Sequence, residues 1–156
     1  MRILVLSDTH GTHRNIELAI EAQPEAKHII FCGDGLNEIE YEEQFYKDRI
    51  FHKVRGNNDM FSSEDKTKIV KIENKTILIT HGHSFFVKSS LDNLINKAKS
   101  VKADIVVFGH THKAYQNYED GLYVLNPGSA SYHSYPRTYG YIDIINNSII
   151  TNIVHY

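Results

Sequence analysis

The sequence predicts one α/β domain in which helices pack on β-sheets and the C-terminal half is antiparallel and β-rich. Three observations predict it. Short apolar runs of strand type recur from the N-terminus, with helical patterns between them. The later part of the chain reads almost entirely as turn-punctuated hairpins. No linker, repeat or low-complexity tract interrupts the sequence. The 156 residues, 41% of them hydrophobic, suit a single core, so one domain spanning 1–156 is expected.

Ile3–Leu6 is a short strand closed by "SDTHG". In 14–22, "RNIELAIEA", Ile16, Ala19 and Ile20 share one helical face. "KHIIFCGDG" is a second strand, residues 36–47 read as a mixed helix, and "RIFHKVRGNND" is strand followed by turn. "TKIVKIENKTILITHGH" alternates on both sides of "ENK", a hairpin whose second strand runs into "HGH". Residues 89–100 carry Leu91, Leu94, Ile95 and Ala98 at helical spacing, with a Ser available as N-cap. "DIVVFGHTH" is the next strand. Two hairpin-like units follow, turning at Glu119–Gly121 and at Asn146–Asn147.

A formal net charge of −2 sets up no general field for nucleic acid or an anionic membrane, so nucleic acid is not indicated and any anion site must be local. No apolar run approaches the roughly 18 residues that cross a bilayer. "MRILVLSDTH" lacks the apolar stretch and cleavage site of a signal peptide. The lone Cys32 allows no internal disulfide and fits a reducing compartment, so a cytoplasmic location is expected. Ten histidines are the compositional oddity.

Successive apolar runs end in chemistry-bearing residues: Asp8-Thr9-His10, Gly33-Asp34, Gly56-Asn57-Asn58-Asp59, His81-Gly82-His83 and Gly109-His110-Thr111-His112. Groups at the carboxyl ends of strands in an α/β sheet converge on one crevice. Imidazole and carboxylate suit Mn, Fe, Zn or Ni, and Asn adds a neutral oxygen. On an extended backbone, residues i and i+2 lie on the same side, so His110 and His112 can reach one centre while Thr111 points away. One such ending alone is ordinary turn chemistry. The ordered set is much harder to explain that way.

That ordered set resembles the signature blocks of the calcineurin-like metallophosphoesterases, from Asp8 to about Ser131. The compact length and the "NPGSAS" after the last block resemble the small YfcE-like phosphodiesterase branch. The resemblance implies a two-sheet β-sandwich flanked by helices and a binuclear centre with metals about 3.5 Å apart. Carried over block by block, Asp8, His10 and His112 would bind one metal and Asn57, His81 and His110 the other, with Asp34 bridging. Mn2+ is the first expectation, and Ni2+, Fe2+ or Zn2+ are alternatives. A bridging hydroxide would attack phosphorus in a small phosphate-ester substrate, which implies a phosphodiesterase. The branch often forms dimers, so a homodimer is a further expectation.

The third residue of the Gly-Asn-x-Asp block is His in many members, where it acts on the leaving group. Here it is Asn58, which can donate a hydrogen bond but cannot deliver a proton. His83 is then the best-placed candidate for that proton, a structural role being the alternative. Modest rates and a preference for good leaving groups follow. Asp59 is either an orienting carboxylate for a neighbouring His or a turn residue. Arg137 either contacts substrate phosphate or is solvated, and "NPGSAS" either offers backbone N–H groups to phosphate or is a turn. His13, His28, His52, His133 and His155 lack a ligand-like context, and the Tyr-rich segment 132–141 belongs to packing. Two other readings compete. A partner-binding scaffold such as the retromer subunit of this fold would be free to lose ligands, and here every ligand position is competent. A mononuclear zinc hydrolase is disfavoured by the surplus of ligands and the missing His-Glu-x-x-His helix.

Overall fold

The computed structural model describes residues 1–156, and its elements follow the sequence pattern closely. In chain order they are β1 (Arg2–Leu6), α1 (His13–Ala22), β2 (Ala26–Phe31), α2 (Leu36–Glu43), β3 (Ile50–Lys53), β4 (Thr67–Ile72), β5 (Lys75–Thr80), α3 (Asp92–Ser100), β6 (Ile105–Val107), β7 (Tyr115–Glu119), β8 (Leu122–Asn126), β9 (Thr138–Ile145) and β10 (Ser148–His155), with a 3-10 turn at His83–Phe85. They form two five-stranded sheets, ordered β10-β9-β1-β2-β3 and β4-β5-β6-β8-β7. No helix is long and apolar enough to cross a membrane.

Strand alternation builds the layers, because successive side chains on a strand point to opposite faces. Ile3 and Val5 join Ile30, Cys32, Ile77, Ile79, Ile105 and Val107 in the core between the sheets. Leu4, Leu6, Ile29 and Phe31 face the other way, onto Ile16, Ala19 and Ile20 of α1 and Leu36 and Ile39 of α2. On the second sheet Leu78 and Val106 turn outward to Leu94 and Ala98 of α3. Both faces of the C-terminal parts of β1, β2, β5 and β6 are therefore dry, which explains why these strands read there as continuous apolar runs rather than alternating ones.

The expectation of an antiparallel C-terminal half needs correction. β7 and β8 do form a hairpin, but β8 inserts beside β6 in parallel, with Val106 opposite Val124. Exposure decides the order: β7, "YQNYE", is exposed at every position and takes the sheet edge, whereas "LYVLN" supplies the buried neighbour. The β9–β10 hairpin returns to the first sheet, antiparallel to β1. Its Asn146-Asn147 turn has φ of 48° and 71°, and the Asp120-Gly121 turn has 51° and 82°, the left-handed pairs that two-residue hairpins need. The second and third helices are shorter than expected. α2 stops at Glu43, and α3 starts at Asp92 with no side-chain cap; the Ser90 hydroxyl accepts the Asp92 N–H (3.1 Å) from outside the helix.

Candidate metal centre

The ends of β1, β2, β5 and β6 open at the same end of the sandwich, and the loop following β3 joins them there. The backbone bonds these loops to one another: Asp8 N–H donates to Gly33 O, the N–H groups of Thr9 and His10 to Asp34 O, and Gly109 N–H to His81 O. The extended i, i+2 geometry expected for Asp8/His10 and His110/His112 is not what the chain adopts. All four residues and Asp34 have positive φ, between 44° and 68°. Left-handed backbone at non-glycine residues costs of order 1–3 kcal/mol each, and such positions gather at functional sites. Nor do His110 and His112 meet at one point. His112 turns to Asp8 and His10, His110 to His81.

Asp8 is fully buried. Its Oδ2 accepts from the Ser7 hydroxyl (2.6 Å) and the His110 N–H (3.0 Å). Its Oδ1 has no hydrogen-bond partner, yet Nε2 of His112, His10 and His81 lie 3.2, 3.8 and 3.9 Å away. His10 Nε2 and His112 Nε2 are 3.2 Å apart. On the other side, His81 Nε2 lies 3.4 Å from Asp34 Oδ2, 3.1 Å from Asn57 Oδ1 and 3.2 Å from His110 Nδ1. The tautomer of His81 is fixed by its far side. Nδ1 faces the Cys32 carbonyl at 2.7 Å, which only accepts, so Nδ1 carries the proton and the Nε2 lone pair of the neutral ring faces the cluster.

Two cation-sized groups result, Asp8–His10–His112 and Asp8–Asp34–His81. Asp8 is common to both. Asp34, the expected bridge, joins only the second, and Asn58 donates to both of its oxygens, from N–H (2.8 Å) and Nδ2 (2.6 Å). Lone pairs from carboxylate, imidazole and amide oxygen turned on one another, around a buried carboxylate oxygen with no donor, are a donor set that fits divalent cations.

The charges respond to this crowding. Burial alone would raise the Asp34 carboxyl, but the His81 imidazole and the Asn58 bonds hold it below the usual carboxylate range. Burial would lower His81, but Asp34 and Asp8 raise it on balance. His110 is pushed down to about 4 by burial and by the neighbouring His81. The His83 ring lies 5.5 Å from that of His81 and 6.2 Å from that of His110, its Nδ1 is buried without a partner, and burial lowers its pKa.

The supports of these groups were not legible in the sequence. Asp59 touches no histidine. Its Oδ2 accepts from the N–H groups of Asp34 (2.7 Å) and Gly56 (2.8 Å), and its Oδ1 from Gly35 and Leu36 (both 3.0 Å), at the start of α2. "NPGSAS" is neither a phosphate cradle nor a simple turn, because its polar groups are buried and already engaged. Asn126 Nδ2 donates to Gly109 O and to the Thr111 hydroxyl, and the Ser129 hydroxyl donates to Asp8 O. Thr111 thus points away from the cluster, as expected. Two glycines are dictated by close approach: a Cβ on Gly56 would stand 2.0 Å from Asp34 Oδ1, and one on Gly109 would stand 2.7 Å from Asp8 Oδ2. Arg137 lies over the Tyr132 ring at 5.4 Å, and Tyr139 packs edge-on against Tyr156.

Comparison with known proteins gives the family. The chain matches the calcineurin-like phosphoesterase superfamily domain over residues 1–147. It is 30% identical to the probable metallophosphoesterase YsnB of Bacillus subtilis over 90% of this chain and 82% of that protein. It is 31% identical to a phosphodiesterase of Methanocaldococcus jannaschii over 82% of this chain and 83% of that protein. Among solved structures, a predicted phosphoesterase of Streptococcus pneumoniae superposes with a TM-score of 0.83 at 23% identity, covering 99% of this chain and 88% of that one. Vps29 of Entamoeba histolytica complexed with zinc gives 0.77 at 24% identity, over 99% of each chain. At those identities the two structures are relatives in fold alone. With the domain match spanning nearly its whole length, the chain belongs to the calcineurin-like phosphoesterase superfamily.

Proposed function

We propose that the chain is a phosphodiesterase that uses two divalent cations to hydrolyse small phosphate esters. The observation that carries this reading is Asp8 Oδ1, a fully buried carboxylate oxygen without a hydrogen bond, with three imidazole nitrogens within 3.9 Å. A buried anion in that state is costly alone and favourable beside a cation. Asp8, His10 and His112 would hold one cation, and Asp34, Asn57, His81 and His110 the other, with Asp8 close to both groups. Manganese is the first choice for this mixed set, with nickel, iron and zinc compatible. When bound, such a pair stabilises charge on phosphoryl oxygens and acidifies water toward neutral pH, supplying the nucleophile.

The rest falls to the chain. His81 is oriented by Cys32 O, so its lone pair is presented without a change of tautomer. Asn58 holds the Asp34 carboxylate by two bonds, from its backbone N–H and its side-chain amide. His83, beside His81 and His110, is the side chain placed to move a proton at the leaving oxygen. Burial favours its neutral form, so esters with good leaving groups should react best.

The test is metal analysis of the purified protein coupled to hydrolysis of bis-p-nitrophenyl phosphate, with and without chelator and in Asp34→Asn. Expected are about two metals per chain and turnover that falls by 10³-fold or more on either treatment. Turnover that survives both would overturn the reading. A chain that binds no divalent metal and hydrolyses no ester would instead be a binding scaffold of this fold.

A further inference from the structure

Beside the centre lies a cleft of about 520 Å³, within the range of small-molecule sites (about 300–1,000 Å³). Its walls come from two segments that also carry the cluster: the chain after His83 and the chain after His112. Val87, Leu91, Phe108 and Tyr115 give it an apolar floor. Lys88 and Lys113 stand on its margin, both exposed and neither in an ion pair with a carboxylate. Thr111, the residue between His110 and His112, also lines it, so the cleft adjoins the segment that carries these two histidines.

The combination restricts the occupant. An apolar floor with a tyrosine on it accepts a flat, weakly polar ring. Two unpaired ammonium groups on a chain of net charge −2 favour added negative charge at that one place. A simple alkyl or aryl diester would leave both lysines without a partner.

We propose that this cleft binds the part of the substrate remote from the scissile bond, and that this part is a nucleoside bearing a further phosphate. The substrate class is then a nucleotide-containing phosphodiester with at least one anionic group besides the diester. This rests on the phosphodiesterase reading above and narrows it. Lys88 and Lys113 are the specificity residues, and Tyr115 supports the base.

Two esters with the same nitrophenolate leaving group separate the contributions: thymidine 5′-(p-nitrophenyl phosphate), with and without a 3′-phosphate. The wild type should prefer the 3′-phosphorylated ester by about tenfold in kcat/KM, the worth of one charge-assisted contact. In the double variant Lys88→Gln/Lys113→Gln the preference should fall to about twofold or less. Calorimetric binding of thymidine 3′,5′-bisphosphate to chelator-treated protein gives a second readout that needs no turnover, and its affinity should fall about tenfold in the double variant. If the wild type hydrolyses neither ester but binds the bisphosphate in a lysine-dependent way, the cleft stands and the esterase reading falls. Equal kcat/KM for the two esters, together with binding indifferent to the lysines, would overturn the cleft. Tyr115→Leu, which keeps the floor apolar, should weaken bisphosphate binding about threefold or more, and unchanged binding would overturn the ring contact.

Discussion

Histidines meet in pairs in two parts of this molecule, with different consequences. His28 and His52, on the neighbouring strands β2 and β3, stack at 5.2 Å with Nδ1 and Nε2 2.9 Å apart. In the cluster at the strand ends, His10 meets His112 and His81 meets His110, each pair at 3.2 Å. The first pair has no carboxylate in contact, and both of its rings are pushed toward the neutral state. The second arrangement surrounds Asp8 and Asp34, and there His81 and His112 are raised instead. Paired imidazoles are therefore not what distinguishes a metal centre. The buried carboxylate with an unbonded oxygen is.

The comparison breaks most sharply at Asp8. Asp8→Asn keeps the shape and removes the negative charge common to both groups, so hydrolysis of bis-p-nitrophenyl phosphate should fall at least about 10³-fold, equivalent to several kcal/mol of lost charge stabilisation. Metal content should fall with it. Chelator-treated Asp8→Asn should be at least as stable to urea as chelator-treated wild type, because the carboxylate is a buried anion with an unsatisfied oxygen. A variant that loses stability and keeps its metal would show that Asp8 serves the fold rather than the centre.

Next in size is Asp59. It holds four backbone N–H groups of the two loops that carry Asp34 and Asn57, and it sits at the N-terminal end of α2, where negative charge is favoured. Asp59→Ala should cost about 2–3 kcal/mol in urea unfolding, since several partly buried donors lose their acceptor together. Activity should fall about 10–100-fold, the usual effect of removing a group that positions a ligand. Full activity in a destabilised variant would mean that the loop keeps its geometry without the carboxylate.

What the sequence made legible, and what it hid, divides along similar lines. The candidate residues were visible because each follows an apolar strand, and the register that makes β1, β5 and β6 dry also aligns their ends. The support was hidden for a physical reason. Asp59 and Asn126 act through backbone groups remote in sequence, and nothing in the local pattern of "GNND" or "LNPGS" says which loop they will grip. The left-handed turns at Asp8, His10, His110 and His112 escaped because Asp and His enter that region more often than most residues but far less often than glycine, so their identity alone does not announce it. The parallel insertion of β8 was hidden too, since its hairpin pattern is the same in either register.

The smallest effect sharpens the comparison from the other side. His52 is held down to about 4, chiefly by burial and then by His28 and Lys68, against an ordinary value near 6.5. In the unfolded chain the same imidazole takes up its proton near 6.5. Between pH 6.5 and pH 4 the unfolded state therefore binds more protons than the folded one, and the contribution of the neutral pair is lost as pH falls through that window. His52→Asn should cost about 1 kcal/mol at pH 7, the worth of one hydrogen bond, and less at pH 5, where the wild type has lost part of its advantage. Because the ring is partly exposed, the narrowing should stay within about 1 kcal/mol after allowance for solvent screening. Urea midpoints of both proteins at the two pH values, with chelator present throughout, measure it. Ester hydrolysis at pH 7 should change less than about twofold, within the range of surface substitutions. A gap that widens at pH 5 would mean that the pair carries charge in the folded state, and the contrast with the carboxylate-bound histidines would lose its basis.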